Sequence, residues 1–187
     1  MKRTYWSAAA IVTMAFLLAS CSTARKTTVR TTTGNTPVIK STVKIKKDVP
    51  EVVINTRDLD PGEVVSFAKK LIGVQYKYGS ADKAKGFDCS GFITYVFSHF
   101  RVPVPRTSAA FTNAGQEVPV AQSKAGDLIL FTGSDAGSGV VGHMGIITSN
   151  NNGNVEFIHA STSRGVMISG MNSYFIPRFV KVNRIFK

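Results

Sequence analysis

Past residue 58 the hydrophobic positions follow two different periods. Behind Asp58-Leu59-Asp60-Pro61-Gly62-Glu63, the residues Val64, Val65, Ala68, Leu71 and Ile72 recur at the intervals of a helix face. Asp60 fits an N-cap, Pro61 the first helical position and Gly73 a stop. A second stripe, Phe92, Ile93, Val96, Phe97 and Phe100, begins just after Cys89 and ends before Val102-Pro103-Val104-Pro105. Short β-prone runs follow at 127–131, 143–148, 155–160, 166–169 and 179–185. Turn formers such as Gly133-Ser134-Asp135 and Asn150-Asn151-Asn152-Gly153-Asn154 separate them. Helices followed by a meander of strands predict an α+β domain, with an antiparallel sheet carrying the helices on one side.

The N-terminus has a pattern of its own. Lys2 and Arg3 precede an apolar run from Ala8 to Leu18, which is shorter than the roughly 20 residues of a membrane-spanning helix. This predicts export rather than spanning. Leu18-Ala19-Ser20-Cys21 resembles a bacterial lipobox, which implies cleavage before Cys21, lipidation of its thiol and anchorage to a membrane. An ordinary signal peptide ending beside a chance cysteine is the alternative. Ser22, in place of an Asp after the cysteine, implies the outer membrane, facing the periplasm, in enterobacteria-like sorting.

Charge then divides the rest. The net charge of +12 is concentrated before residue 51, where Arg25, Lys26, Arg30, Lys40, Lys44, Lys46 and Lys47 face Asp48 alone. Residues 51–187 carry 14 Lys and Arg against 10 Asp and Glu, with no basic stripe on a motif helix, so nucleic acid is not the expected partner. Three regions are expected: an export signal at 1–20, the lipidated Cys21 with a flexible basic tether at 21–57, and one domain at 58–187. A leash of roughly 30 residues averages about 30 Å end to end, and charge extends it further.

With Cys21 lipidated, Cys89 has no disulfide partner, and a free thiol in an oxidising compartment suggests use. The alternative is a small buried apolar residue. Asp88 fits an N-cap, which puts Cys89 in a first helical turn where the dipole and unpaired N–H groups favour thiolate, although the Asp88 charge opposes it. Of three histidines, His99 lies too far along the same helix to reach the thiol and reads as a surface or packing residue. His143 opens one strand and His159 ends the next. A hairpin turning at the Asn/Gly run sets them opposite each other, so that one imidazole can orient the other. A metal pair or two unconnected histidines are the competing readings; the ligand spacing of familiar zinc sites is missing.

Five segments then occur in a familiar order: Phe87-Asp88-Cys89-Ser90-Gly91-Phe92, Val104-Pro105-Arg106-Thr107-Ser108, Ala125-Gly126-Asp127-Leu128-Ile129-Leu130-Phe131, Gly142-His143-Met144-Gly145-Ile146 and Phe157-Ile158-His159-Ala160-Ser161. From about Pro61 to Lys187 the chain resembles the NlpC-type cell-wall cysteine peptidases. The resemblance implies a papain-like fold with N-terminal helices packed on an antiparallel sheet of about five to six strands. It implies Cys89 as nucleophile, His143 as general base and acid, His159 as the orienting third member and Tyr76 on the oxyanion side of the thiol. Peptidoglycan stem peptides are the implied substrate, cut between D-Glu and diaminopimelate or at the D-Ala–diaminopimelate cross-link. No metal or organic cofactor is implied, and a monomer is expected. Gly79-Ser80 replaces a more usual Gly-Gly, and the hairpin between the histidines carries extra Asn residues, departures that bear on substrate rather than on the chemistry. Arg106, Ser108 and Ser90 are as readily structural as substrate-binding. The same fold also suits a non-catalytic wall-binding lipoprotein or, less well given polar loops at 83–86 and 133–139, an acyltransferase or lipase.

Overall fold

The computed structural model describes residues 39–45 and 50–187; the export signal, Cys21 and the tether stretches 22–38 and 46–49 lie outside the described residues. Helix α1 (Pro61–Lys69) starts where its signals place it, with the Asp60 carboxylate accepting from the Gly62 N–H at 2.8 Å. It ends before its apolar stripe does, leaving Leu71 buried but Ile72 exposed. A small hairpin, β1 (Ala81–Asp82) and β2 (Gly86–Phe87), leads directly into α2 (Cys89–His99). Asp88 caps α2 by accepting from the Gly91 N–H at 2.6 Å. The first turn of α2 is pressed so closely on the preceding chain that a β-carbon at Gly91 would stand 2.0 Å from the Ser80 carbonyl oxygen. No larger residue fits there without moving backbone.

The remaining strands are β3 (Gln116–Val118), β4 (Leu128–Phe131), β5 (His143–Asn151), β6 (Asn154–Ser161), β7 (Gly165–Gly170) and β8 (Phe179–Arg184). They form one antiparallel sheet in the order β3-β8-β4-β5-β6-β7. The architecture is the expected α+β one. It departs from a simple meander because β8 returns to lie between β4 and the short edge strand β3, which the apolar pattern does not reveal.

Strand β4 shows how the sheet is packed. Its four residues are all buried, and they alternate between two clusters. Leu128 and Leu130 join the core under the helices, with Phe92, Val96 and Phe97 of α2 and Met144 and Ile146 of β5. Ile129 and Phe131 join a second cluster on the other face, with Ile147, Val155, Phe157, Phe175 and Val182. The sheet is therefore covered on both faces: by helices on one, and by chain segments including Phe175 on the other.

Part of the expected tether belongs to the domain. Ile39 packs on the second cluster, and Val43 and Ile45 pack on the first. Between them the Ser41 hydroxyl donates to the Phe179 carbonyl of β8 at 3.0 Å. The Lys44 carbonyl oxygen lies so near Gly139 that a β-carbon there would be 2.9 Å from it. Further along, Val52 bridges to Ala114, Ile54 is buried, and the Thr56 hydroxyl donates to the Ile185 carbonyl. The boundary expected at residue 58 thus moves towards the N-terminus, because Ile39, Val43 and Ile45 pack against the two apolar clusters of the domain. A chain beginning at Glu51 is expected to be less stable to urea than one beginning at Ser22 by about 2–4 kcal/mol, the scale of partly burying three aliphatic side chains. Equal midpoints would show that residues 39–45 contribute nothing.

Candidate active site

The start of α2, the start of β5 and the segment before β1 meet around a cavity of about 470 Å³, lined by Cys89, His143, His159 and Tyr76 among others. Cys89 is the first residue of α2 and half-buried. Its Sγ lies 3.2 Å from Ser108 Oγ and donates to the Gly142 carbonyl, one residue before His143, at 3.6 Å. Ser108 opens a short 3-10 turn, Ser108–Phe111, and is buried.

Arg106, two residues earlier, reaches the residue that caps the helix. It donates to both carboxylate oxygens of Asp88, at 3.0 and 2.7 Å, and to Ser90 Oγ at 3.0 Å. Burial pulls the Asp88 carboxyl upward, but the Arg106 fork, the Gly91 N–H and the Ser90 hydroxyl outweigh it and hold the group below its usual range. The carboxylate beside the thiol is therefore ionised and paired. The thiol nevertheless differs from the expectation of a helix-start thiolate. Burial pushes its pKa up, the Ser108 hydrogen bond offsets this in part, and the Asp88 charge adds to the rise. Desolvation outweighs the helix-start position, and the resting group is a thiol.

Tyr76 stands beside Cys89 because its segment pairs with β2. The Lys77 N–H donates to the Phe87 carbonyl and the Phe87 N–H to the Gln75 carbonyl, each at 3.0 Å. Burial, then the neighbouring Cys89 and Asp88, raise the phenol pKa, so the hydroxyl keeps its proton and can donate.

The two histidines come together, by a different register from the one expected. A bulge in β5 between Ile147 and Ser149 shifts the pairing with β6, and Ile146 lies opposite Ile158. Continued by one residue, this register puts Gly145 opposite His159 and leaves His143 as its diagonal neighbour on the same face. Gly145 makes the diagonal contact possible: a β-carbon there would lie 2.8 Å from the Ile158 carbonyl oxygen and 3.2 Å from His159 Cβ. His143 Nε2 is 2.9 Å from His159 Nδ1, and His159 Nε2 is 3.0 Å from Ser169 Oγ on β7.

Both rings continue the row of the second apolar cluster. His143 lies 6.1 Å from Phe131 and 6.3 Å from Phe175 between ring centroids, and His159 lies 5.2 Å from Phe157 and 5.4 Å from Phe175. Burial lowers the His143 pKa to about 4. Burial, followed by the charges of His143 and Arg164, lowers that of His159 to about 3. Among the described residues, no group of three or more His, Cys, Asp or Glu side chains is placed to hold a metal ion. His99 stands at the far end of α2, exposed and stacked on Phe67 at 3.8 Å. Of the two readings open for Arg106, Ser108 and Ser90, the structure shows Arg106 and Ser90 on the Asp88 carboxylate and Ser108 against the thiol, whereas Ser169 has no signal in the sequence, its same-face place beside His159 appearing only once register is known.

A helix-borne thiol sharing a cavity with a hydrogen-bonded imidazole pair is an arrangement suited to nucleophilic attack on an acyl group. Residues 73–184 match the model of the NlpC/P60 family. The chain belongs to the NlpC/P60 family. It is 38% identical over 115 residues to the murein DD-endopeptidase MepS/murein LD-carboxypeptidase of Escherichia coli K12, a match spanning 60% of this chain and 56% of that protein. It is 41% identical over 127 residues to the probable peptidoglycan endopeptidase LytE of Bacillus subtilis, across 67% of this chain and 35% of that one. The matches thus span about half or less of these curated relatives. Among solved structures, the NlpC/p60 domain of the peptidoglycan hydrolase SagA is similar with a TM-score of 0.55 and 30% identity, over 67% of this chain and 99% of that one. An NlpC/P60 family protein from Bacillus cereus gives a TM-score of 0.60 and 26% identity, over 68% and 40%.

The depressed imidazole pKa values set an acid limit on stability. Histidines in the unfolded chain take up protons near pH 6.5, whereas the buried pair does so at about 4 and about 3. Below pH 6.5 the unfolded state therefore binds more protons, and stability falls as pH drops through that window. Asp88 adds a later loss, below its unfolded value of 3.8, as pH falls through its lowered pKa. Melting midpoints are expected to fall between pH 7 and pH 4.5, and more shallowly in His143→Gln. The same slope in both proteins would show that His143 is not held neutral by burial.

Proposed function

We propose that this chain is a cysteine endopeptidase that cuts amide bonds in peptidoglycan stem peptides, with Cys89 as nucleophile, His143 as general base and acid, and His159 as the orienting member. The contact between His143 Nε2 and His159 Nδ1 carries the reading, because it holds the two imidazoles in line and accommodates the tautomers the chemistry needs. With His143 protonated on Nε2 and donating to His159 Nδ1, its Nδ1 is left to accept a proton, and His159 Nε2–H is satisfied by Ser169 Oγ. His143 Nδ1 takes the Cys89 proton as the sulfur attacks the amide carbonyl. The backbone N–H of Cys89 and the Tyr76 hydroxyl stabilise the oxyanion. His143 then protonates the leaving amine, and water, deprotonated by the same nitrogen, releases the acyl group from sulfur. A neutral thiol and a neutral imidazole at rest become an ion pair as the substrate seals the cavity.

The names of the relatives support a cell-wall substrate, and that of the E. coli relative, a murein DD-endopeptidase, favours the D-Ala–diaminopimelate cross-link. The N-terminal pattern supports an exported lipoprotein anchored through Cys21 to the outer membrane and working from the periplasmic side.

Soluble protein from Ser22 to Lys187, incubated with purified sacculi, is expected to release muropeptides identifiable by mass, and Cys89→Ala to release none. Equal release by Cys89→Ala would sink the nucleophile assignment, and no release by either would favour a wall-binding module. His143→Ala is expected to lose more turnover than His159→Ala, since only His143 exchanges protons with substrate; the reverse ranking would mean that the roles are exchanged. The acid limb of kcat/KM is expected near pH 4 rather than 6.5.

A further inference from the structure

The cavity carries a charge that the steps above leave unused. Its lining includes neither a carboxylate nor a lysine; its charged side chains are Arg164 and Arg178. Arg178 is committed to the fold. It donates to the carbonyls of Gly133, Tyr174 and Ser134 at 3.0, 2.9 and 3.1 Å and lies 4.0 Å over the Tyr174 ring. Arg164 is exposed, and among the described residues it has neither a hydrogen bond nor an ion pair.

The backbone that presents Arg164 is nonetheless fixed. It lies in the turn between β6 and β7, directly before Gly165, whose φ is +67° and where a β-carbon would come within 2.2 Å of the Val74 carbonyl oxygen. Two further bonds flank that contact: Gly73 N–H to the Val166 carbonyl at 2.9 Å and Val166 N–H to the Val74 carbonyl at 2.8 Å. The turn is thereby stapled to the segment that leads into Tyr76. Its charge also acts on His159, which it helps to keep neutral. Beside it, Ser161 Oγ and Ser163 Oγ stand 3.4 Å apart and offer hydroxyl donors on the same rim.

We propose that Arg164 is a specificity-determining residue that takes a substrate carboxylate near the amide being cut. The proposal rests on the reading of the site as a stem-peptide hydrolase. A guanidinium fork matches a carboxylate through two parallel N–H···O bonds, and a cavity without acids offers it no internal competitor. The carboxylate comes either from the peptide C-terminus or from the diaminopimelate residue.

The test uses Cys89→Ala protein from Ser22 to Lys187, which binds without turnover, and a synthetic stem tetrapeptide in three forms: unmodified, amidated at the C-terminus, and amidated on diaminopimelate. Calorimetry is expected to show that one of the two amidations raises Kd about tenfold. Which one does so identifies the carboxylate. Adding Arg164→Gln is expected to bring the three forms to equal Kd, and Arg164→Lys to keep part of the difference, with melting midpoints unchanged. A preference that survives in Arg164→Gln, equal binding of all three forms at the outset, or no binding would overturn the proposal. Release from sacculi by the intact enzyme separates this from the hydrolase reading. Release without carboxylate preference defeats Arg164 alone, and preference without release defeats hydrolysis alone.

Discussion

The carboxylate of Asp88 is the point on which the cleft depends. It caps α2, accepts the Arg106 fork and takes the Ser90 hydroxyl, so one buried group ties the helix that carries the thiol to the segment that brings Ser108 against it. A buried carboxylate is tolerable only when its charge is answered and its oxygens are occupied, and both conditions are met here by residues within twenty positions of each other. The carboxylate already disfavours the thiolate, and without the guanidinium it would do so more strongly. The ion pair thus acts on placement and on electrostatics at once.

The imidazole pair obeys a different constraint. Its place at the end of an aromatic row on the second face of the sheet shields the rings from water, His159 more fully than His143, and this holds them neutral. A neutral imidazole is a better partner for a thiol than one already charged. The line from His143 through His159 to Ser169, across three strands, holds both rings in place and accommodates the tautomer that leaves His143 Nδ1 free to accept a proton. The second apolar cluster is therefore part of the site's electrostatics as well as of its stability, and Phe131 and Phe175 belong to both.

The parts of the structure that were legible in the sequence are those set by local chemistry. Asp60 and Asp88 announce the helix starts because an N-cap is a property of a few adjacent residues, and β4 to β8 show as apolar runs because each contributes to a buried face. That Cys89, His143 and His159 come to one cavity was legible for the same reason, each lying inside a short recognisable segment. Strand β3 was not, because it has three residues, two of them polar, on a sheet edge. The diagonal pairing of the histidines depends on a bulge, which a midpoint argument cannot see. Ser108, Arg106 and Ser169 are common residue types whose meaning comes from partners 10 to 19 positions away. The segment 39–45 was hidden by its lysines, and by the way its apolar residues divide: Ile39 packs on one cluster and Val43 and Ile45 on the other, in a stretch that forms no strand.

That segment changes how force enters the molecule. A tether that ended at the domain boundary would act as a free swivel, and pulling on it would do no more than orient the domain. Here the chain leaving residue 39 is laid along β8 and reaches, at Lys44, the backbone of the loop whose far end supplies Gly142 to the thiol. With the chain held through Cys21, as proposed above, tension from the N-terminal side would fall first on the contacts of residues 39–45, before the sheet is loaded and a few residues from one wall of the cleft. The same stretch would shorten the length of chain free to reach a distant target, so that the span between the proposed anchor and the cleft would depend on whether those contacts are closed.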